Sequence, residues 1–262
     1  LGYVVKDLGD IDAHAGENAH EQTADQAKAK NSRWVGDVNR KSADLILKEL
    51  DGGKSDNFLL SIGGDHSIAI GTISGLLDTY ASPKQNDADL CVIWVDAHAD
   101  INTPAGSISG NIHGMPVAFL MREASLVDAW TIPGFEWMDP SSTSRNRRLN
   151  PRKLVYIGLR DVDEAEEEIL RRFNIKSYRM PDVRSKGINK VMEEIIDYLN
   201  LGSDSTSKDR LHLSFDIDGL DPGACPATGT AVEDGLTVDE GRAICEACGK
   251  TGRLVGMDLV EV

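Results

Sequence analysis

The sequence predicts an α/β fold with three layers, αβα, built on a mostly parallel, doubly wound sheet. Three observations predict it. Short apolar runs alternate with longer amphipathic ones along 262 residues, several of the short runs are apolar nearly throughout, and polar clusters stand just beyond them. A strand that is apolar on both faces needs cover on both, which is the situation of a parallel sheet with helices above and below. The length suits one such domain over residues 1–262.

Taken in order, a helix is predicted over about Val35 to Leu50, and strands over Asn57–Ile62, Leu90–Val95 and Leu154–Leu159, each rich in Val, Ile, Leu, Tyr or Phe. Ala165, Ile169, Leu170 and Phe173 then fall at i, i+4, i+5 and i+8, the spacing of one helix face. A strand follows at Lys176–Met180, and Val191, Ile195, Ile196 and Leu199 repeat the helical spacing. Leu211–Ile217 and Leu254–Val260 complete the strands, and between them Thr237-x-x-Glu240 opens a helix that runs toward Gly249 with a capping box. Residues 10–30 lack periodicity and are expected to form a loop; the polar stretches 82–89, 139–151 and 202–209 are expected to be surface connectors.

A net charge of −15 disfavours broad contact with nucleic-acid backbones or anionic membranes, and no apolar run approaches the ~20 residues of a membrane span. Cationic substrates or metal cations suit it better. Four cysteines are few for this length and favour a reducing, cytoplasmic setting, and Cys245-x-x-Cys248, which lacks a second pair and sits in a helical pattern, is expected to be two structural thiols. The chain starts at Leu1, so a preceding segment, including a mitochondrial targeting one, is left open.

The polar clusters are Gly63-Gly64-Asp65-His66, Asp96-Ala97-His98-Ala99-Asp100, Asp161-Val162-Asp163, Asp216-Ile217-Asp218 and Glu261. In an open parallel sheet the carboxyl ends of the strands line the ligand crevice, so five strands are expected to point these tips at one place. In extended chain Asp96, His98 and Asp100 project the same way, as do Asp216 and Asp218. Four carboxylates in one crevice repel one another unless cations neutralise them or several become protonated. Two divalent metals resolve the conflict. With His66 and His98 there are six candidate ligands, and two shared carboxylates give each metal four, leaving room for a bridging water. Carboxylate and imidazole without thiolate favour Mn²⁺, with Fe²⁺, Co²⁺ and Zn²⁺ also compatible by ligand type. His14, His20 and His212 are assigned no role.

At this point the residues resemble the arginase family of ureohydrolases. The resemblance runs from about Asp7 to Glu261 and rests on Gly-Gly-Asp-His-Ser at 63–67, Asp-Ala-His-Ala-Asp-Ile-Asn-Thr-Pro at 96–104, Ser-Gly-Asn-Ile-His-Gly at 109–114, Gly-Leu-Arg-Asp-Val-Asp at 158–163 and Ser-Phe-Asp-Ile-Asp-Gly-Leu-Asp-Pro at 214–222. It implies two Mn²⁺ per chain, one held by His66, Asp96, Asp100 and Asp216, the other by Asp96, His98, Asp216 and Asp218, with Asp96 and Asp216 bridging. It further implies cleavage of the guanidinium group of L-arginine to ornithine and urea by a hydroxide between the metals, oriented by Asp100. His113 takes the position of a proton-shuttling histidine, and Glu261 and Thr230 lie at the guanidinium end. Asn102, Ser109 and Asn111 match positions that recognise the α-carboxylate, Asp163 the one that accepts the α-amino group, and Glu166 supports it.

By the same resemblance a first strand before residue 1 and a helix after the Glu261 strand are absent, so the chain is expected to be a fragment truncated at both ends. A homo-oligomer, a trimer by resemblance, and a place in arginine metabolism and the urea cycle are expected as well. Two alternatives stay open: an agmatinase or other guanidino-substrate ureohydrolase with the same metals, and a metal-binding relative without turnover. A serine hydrolase is set aside, because Ile108 stands where the Gly106–Gly110 segment would need its nucleophile.

Overall fold

A computed structural model describes residues 4–11, 28–50, 57–80, 88–121, 126–141 and 148–262. Six strands form one fully parallel sheet: β1 (Leu59–Ile62), β2 (Leu90–Val95), β3 (Leu154–Leu159), β4 (Lys176–Arg179), β5 (Arg210–Asp216) and β6 (Leu254–Val260), in the order β1-β6-β5-β2-β3-β4. All lie where the apolar runs predicted strands, within two residues at each end. The apolar character of β2 and β3 follows from their central place, since both are buried at every position.

Helices cover both faces. On one, α1 (Ser32–Glu49), α2 (Ala69–Tyr80), α3 (Pro116–Leu120) and α4 (Glu164–Arg172) pack on a core that includes Val92, Trp94 and Tyr156. On the other, α5 (Met180–Lys186), α6 (Ile188–Tyr198) and α7 (Val238–Lys250) pack on Ile93, Val95, Ile157 and Leu213. This is the three-layer arrangement expected. The alternation along β2 assigns Leu90, Val92 and Trp94 to one core and Cys91, Ile93 and Val95 to the other, as pleat geometry requires. The predicted capping box forms: Thr237 Oγ1 accepts the Glu240 N–H at 3.2 Å, and Glu240 accepts the Thr237 N–H at 2.8 Å.

Three helices escaped the sequence pattern. α2 is buried at every residue except Asp78, so it has no polar face and no amphipathic stripe to read. α3 is a single short turn, and α5 begins at Met180, which the pattern gave to the preceding strand, with Pro181 in its first turn. α1 and α2 approach closely: a Cβ on Gly71 would stand 2.5 Å from the Asn39 carbonyl oxygen. Among the described residues no helix is long and apolar enough to cross a membrane. His14, His20 and most of the loop expected at 10–30 lie outside the described residues, as do parts of the connectors at 82–89 and 139–151.

Strand order fixes where a site can lie. From β2 the chain steps outward to β3 and β4, then returns to β5 and β6 on the other side. The switch point therefore falls between β2 and β5, and helices leaving opposite faces open a crevice there. The tips of those two strands carry Asp96 and Asp216.

Candidate metal centre

Five neighbouring strands deliver the predicted clusters to this crevice, and β4, at the sheet edge, contributes none. β1 is followed by Gly63 and Gly64, both with positive φ (87° and 75°), a conformation open to glycine that turns the chain sharply into Asp65 and His66. Asp65 caps the turn His66–Ile68 by accepting the Ser67 N–H at 2.9 Å, which fixes His66 at its start.

The strand alternation predicted for Asp96, His98 and Asp100 is not how they converge. β2 ends at Val95, and the chain then turns, with Asp100 at φ 51°; Asp218 likewise sits in the 3₁₀ turn Ile217–Gly219, beyond the end of β5. Asp96 accepts the His98 N–H at 2.7 Å and Asp216 the Asp218 N–H at 2.8 Å. Each carboxylate thus ties down the turn that carries the next candidate ligand. Asp218 in turn accepts the Ala97 N–H at 3.1 Å, joining the β2 and β5 turns across the switch point.

The result is two overlapping groups. His66 Nδ1 lies 3.0 Å from Asp96 Oδ2 and 3.2 Å from both Asp100 Oδ2 and Asp216 Oδ2. His98 Nδ1 lies 3.3 Å from Asp96 Oδ1 and 3.1 Å from Asp218 Oδ2. Asp96 belongs to both, with one oxygen toward each. All four carboxylates and His66 are buried, and His98 is partly so.

The electrostatics of the cluster favour added positive charge. Burial pushes the Asp216 carboxyl up to about 7, reinforced by the charge of Asp96, and does the same to Asp100 more strongly. For His98 burial works against the charged form, yet the Asp218 and Asp96 carboxylates outweigh it and raise the imidazole to about 11. His66 is raised in the same way by Asp100, Asp216 and Asp96. Even two imidazolium charges leave two of four buried carboxylates uncompensated, whereas two divalent cations would neutralise all four. An oxygen-and-imidazole donor set converging on two points fits divalent metal ions.

Support comes from one register row beneath these tips. Ser61, Asp258, Ser214, Trp94 and Tyr156 are paired across five strands. Ser214 Oγ lies 2.8 Å from His66 Nε2, Trp94 Nε1 donates to Asp96 Oδ2 at 2.9 Å, and Tyr156 donates to the Ala99 carbonyl at 2.6 Å. The Trp94 ring stacks on His66 at 4.0 Å. The hydrogen bond with Ser214 leaves Nδ1 as the atom that faces the carboxylates. Sequence reasoning passed over Ser214 and Trp94; a polar residue every second position in β5 (His212, Ser214, Asp216) was the available signal. His212 makes no contact with the centre and pairs instead with buried Asp258 at 3.0 Å.

Above the metal groups lies a cavity of ≈ 130 Å³. His113, Asn102, Asp163, Glu166, Thr230 and Glu261 line it together with His66, His98, Asp100, Asp216 and Asp218. Glu261, just past β6, accepts the His66 N–H at 3.0 Å and lies 3.9 Å from His113 Nδ1. Thr230 donates to Asp218 Oδ2 at 2.8 Å. Asn102 donates to Asp163 at 3.0 Å and leaves its own buried carbonyl oxygen without a partner. Glu166 accepts the N–H groups of Ile101 and Asp163, both at 3.1 Å; burial raises its carboxyl to about 7 against those two bonds. It is thus a helix-start residue that also pins the segment after Asp100.

Ser109 and Asn111 do not line the cavity. They lie on the adjoining loop, where Ser109 Oγ accepts the Asn111 N–H at 3.2 Å and sits 3.4 Å from Ser107 Oγ. Ser107 is a further hydroxyl on that loop which the sequence reading did not single out.

Residues 2–262 match the Arginase family. The hepatic arginase of Aquarana catesbeiana is 47% identical over 262 residues, covering 100% of this chain and 73% of the relative. Among solved structures, the arginase from Bacillus caldovelox superposes with a TM-score of 0.77 at 36% identity, over 97% of this chain and 76% of the other. The arginase of Entamoeba histolytica, solved in complex with L-ornithine, gives 0.75 at 33%, over 92% of this chain and 73% of the other. With the sheet order, the switch-point centre and these likenesses in agreement, the chain belongs to the arginase family.

Proposed function

We propose that the chain hydrolyses the guanidinium group of L-arginine to L-ornithine and urea at a centre of two Mn²⁺ ions. The observation that carries this reading is the convergence of six candidate ligands in two groups sharing Asp96, with His113, Thr230 and Glu261 over the same cavity. His66, Asp96, Asp100 and Asp216 would hold one ion, and Asp96, His98, Asp216 and Asp218 the other. When bound, the ions lower the pKa of a water molecule and stabilise charge developing at the attacked carbon.

The chain's own groups do the remainder. Glu261 presents a carboxylate to the guanidinium cation and is held in place by the His66 backbone. Thr230 fixes Asp218, and Asp100 accepts a proton and orients the attacking water. His113 is part-exposed at the cavity mouth, 3.9 Å from Glu261, which suits an imidazole carrying protons between solvent and the departing amine. Asp163 takes the α-amino group, supported by Glu166. Asn102, on the cavity wall and hydrogen-bonded to Asp163, would recognise the α-carboxylate together with Ser109 and Asn111 of the adjoining loop. Agmatine offers no carboxylate to that loop. The same reading carries a trimeric assembly and a role in nitrogen disposal or ornithine supply by family resemblance, and a cytoplasmic location from the few cysteines, with a mitochondrial one as the alternative because one arginase relative is mitochondrial.

The test is urea release from L-arginine and from agmatine after preincubation with Mn²⁺, beside metal analysis of the same sample. Arginine turnover with two metals per chain is expected. Turnover on agmatine alone would reassign the substrate, and bound metal without turnover on either would reject the catalytic reading.

A further inference from the structure

We infer that Arg160 is a positioning residue that locks the turn bearing Asp218 to the loop bearing Thr230, and so builds the second metal subsite and the guanidinium end of the cavity as one unit. The inference rests on the reading above and assigns a residue that touches neither metal nor substrate.

Arg160 follows β3 directly, and its backbone N–H donates at 2.9 Å to the carbonyl of Ala97, the residue between Asp96 and His98. Its guanidinium then reaches six backbone carbonyls in three segments. Nη2 donates to Asp218 at 2.6 Å, Val232 at 2.8 Å and Leu220 at 3.1 Å; Nη1 to Gly158 and Gly219, both at 3.2 Å; Nε to Glu233 at 3.0 Å and Val232 at 3.3 Å. No carboxylate pairs with it among the described residues.

The segment between Leu220 and Leu236 has no helix or strand of its own. Its base is closed by the Leu220–Leu236 bridge, where Asp221 N donates to Leu236 O at 2.8 Å and Leu236 N to Gly219 O at 3.0 Å. Carbonyls from three segments converge on the guanidinium, so a planar cation with five N–H donors serves as the hub around which this loop folds. Thr230 hangs from the loop, and its hydroxyl binds Asp218, whose carbonyl Arg160 also holds. Asp218 is thus gripped at both its side chain and its backbone by one junction. A lysine keeps the charge but offers three donors from a single point and cannot bridge three segments.

The experiment is calorimetric titration of Mn²⁺ into metal-stripped protein, comparing wild type, R160K and R148K. Arg148 is the control, because its guanidinium also donates to two carbonyls, Phe119 and Met138, away from the site. R160K should leave one metal tightly bound and weaken the other by about 10-fold to 100-fold, raise KM for arginine, and make Thr230→Ala cost little more on top. R148K should lower the melting temperature and leave both affinities alone. Equal loss of both metals in R160K, a melting-temperature change with no change in affinity, or full additivity with Thr230→Ala would overturn the inference. Hydrogen exchange on the unsubstituted protein supplies a reading that needs no variant to fold: Mn²⁺ should slow exchange over 218–220 and 228–236 together, and protection confined to 218–220 would overturn it. Because affinity and exchange are read without turnover, a wild type that binds two metals and releases no urea would reject the proposed function alone.

Discussion

Replacing Asp216 by asparagine should stabilise the metal-free protein and destabilise the metal-loaded one, and the first effect should grow with pH. Burial and the neighbouring charge of Asp96 raise the Asp216 carboxyl from its ordinary 3.8 to about 7. Between those two values the folded chain retains a proton that the unfolded chain has released, so its stability falls as pH rises through the window and levels off above about 7. At about 1.36 kcal/mol per unit, ionising this group costs the fold on the order of 4 kcal/mol at pH 8, of which about 2 kcal/mol accrues between pH 5 and pH 7. Asparagine removes that cost and keeps an oxygen to accept the Asp218 N–H. Urea unfolding in a chelator at pH 5, 6, 7 and 8 should show D216N gaining on wild type by about 3 kcal/mol across the series. With Mn²⁺ the order should invert, since wild type gains stability by binding metal at a site the variant has damaged. A pH-independent difference in the metal-free series, or a variant less stable than wild type at pH 8 without metal, would refute the account of the cluster as an electrostatic conflict that cations relieve.

Three further outcomes are expected. His113→Asn should retain both metals and lower kcat by about 10²-fold or more, as loss of a proton carrier does; loss of metal by elemental analysis would make His113 a ligand instead. Ser109→Ala should raise KM for arginine by about tenfold or more, the worth of one hydrogen bond to a charged group, while inhibition by a guanidine without a carboxylate stays constant; equal effects on both would end the carboxylate assignment. Gly36→Ala should lower the melting temperature by several degrees without altering metal content, because its Cβ would stand 2.2 Å from the Gly134 carbonyl oxygen and force α1 off that loop at a cost of about 1–3 kcal/mol; an unchanged melting curve would mean that the helix and loop can part freely.

The strands were legible because their burial is set by the sheet itself: a central strand such as β2 meets apolar neighbours on both sides, and the pattern of its residues says so. Helices that lie on the surface were legible for the opposite reason, since α4 and α6 carry a polar and an apolar face. α2 was not, because nearly every side of it is buried and its Gly71 and Gly75 answer close contacts with α1 that no local pattern encodes. The candidate ligands could be named from the sequence, but the mechanism of their convergence could not. Strand alternation was the wrong geometry for His98 and Asp100 after β2 and for Asp218 after β5, and the turns that carry His98 and Asp218 are closed by Asp96 and Asp216. Arg160 was invisible as more than part of a motif, because most of its partners are backbone carbonyls 58 to 73 residues away.

The same carboxylates that bind turns are the ones that crowd. Asp96 and Asp216 each accept a backbone N–H two residues on, and those bonds hold the turns carrying His98 and Asp218. His66 is fixed independently by the Asp65 cap, the Ser214 hydroxyl and the Trp94 ring. The candidate ligands are thus held by the chain's own hydrogen bonds and ring contacts. A centre whose ligands are already in place loses little of its binding free energy to ordering the chain, and the repulsion stored among four buried carboxylates is released when cations arrive. Both effects raise metal affinity at the expense of stability in the metal-free fold. Weakening the turn bonds should therefore lower affinity even where every ligand remains, which is the behaviour that separates a preorganised centre from one assembled by its metals.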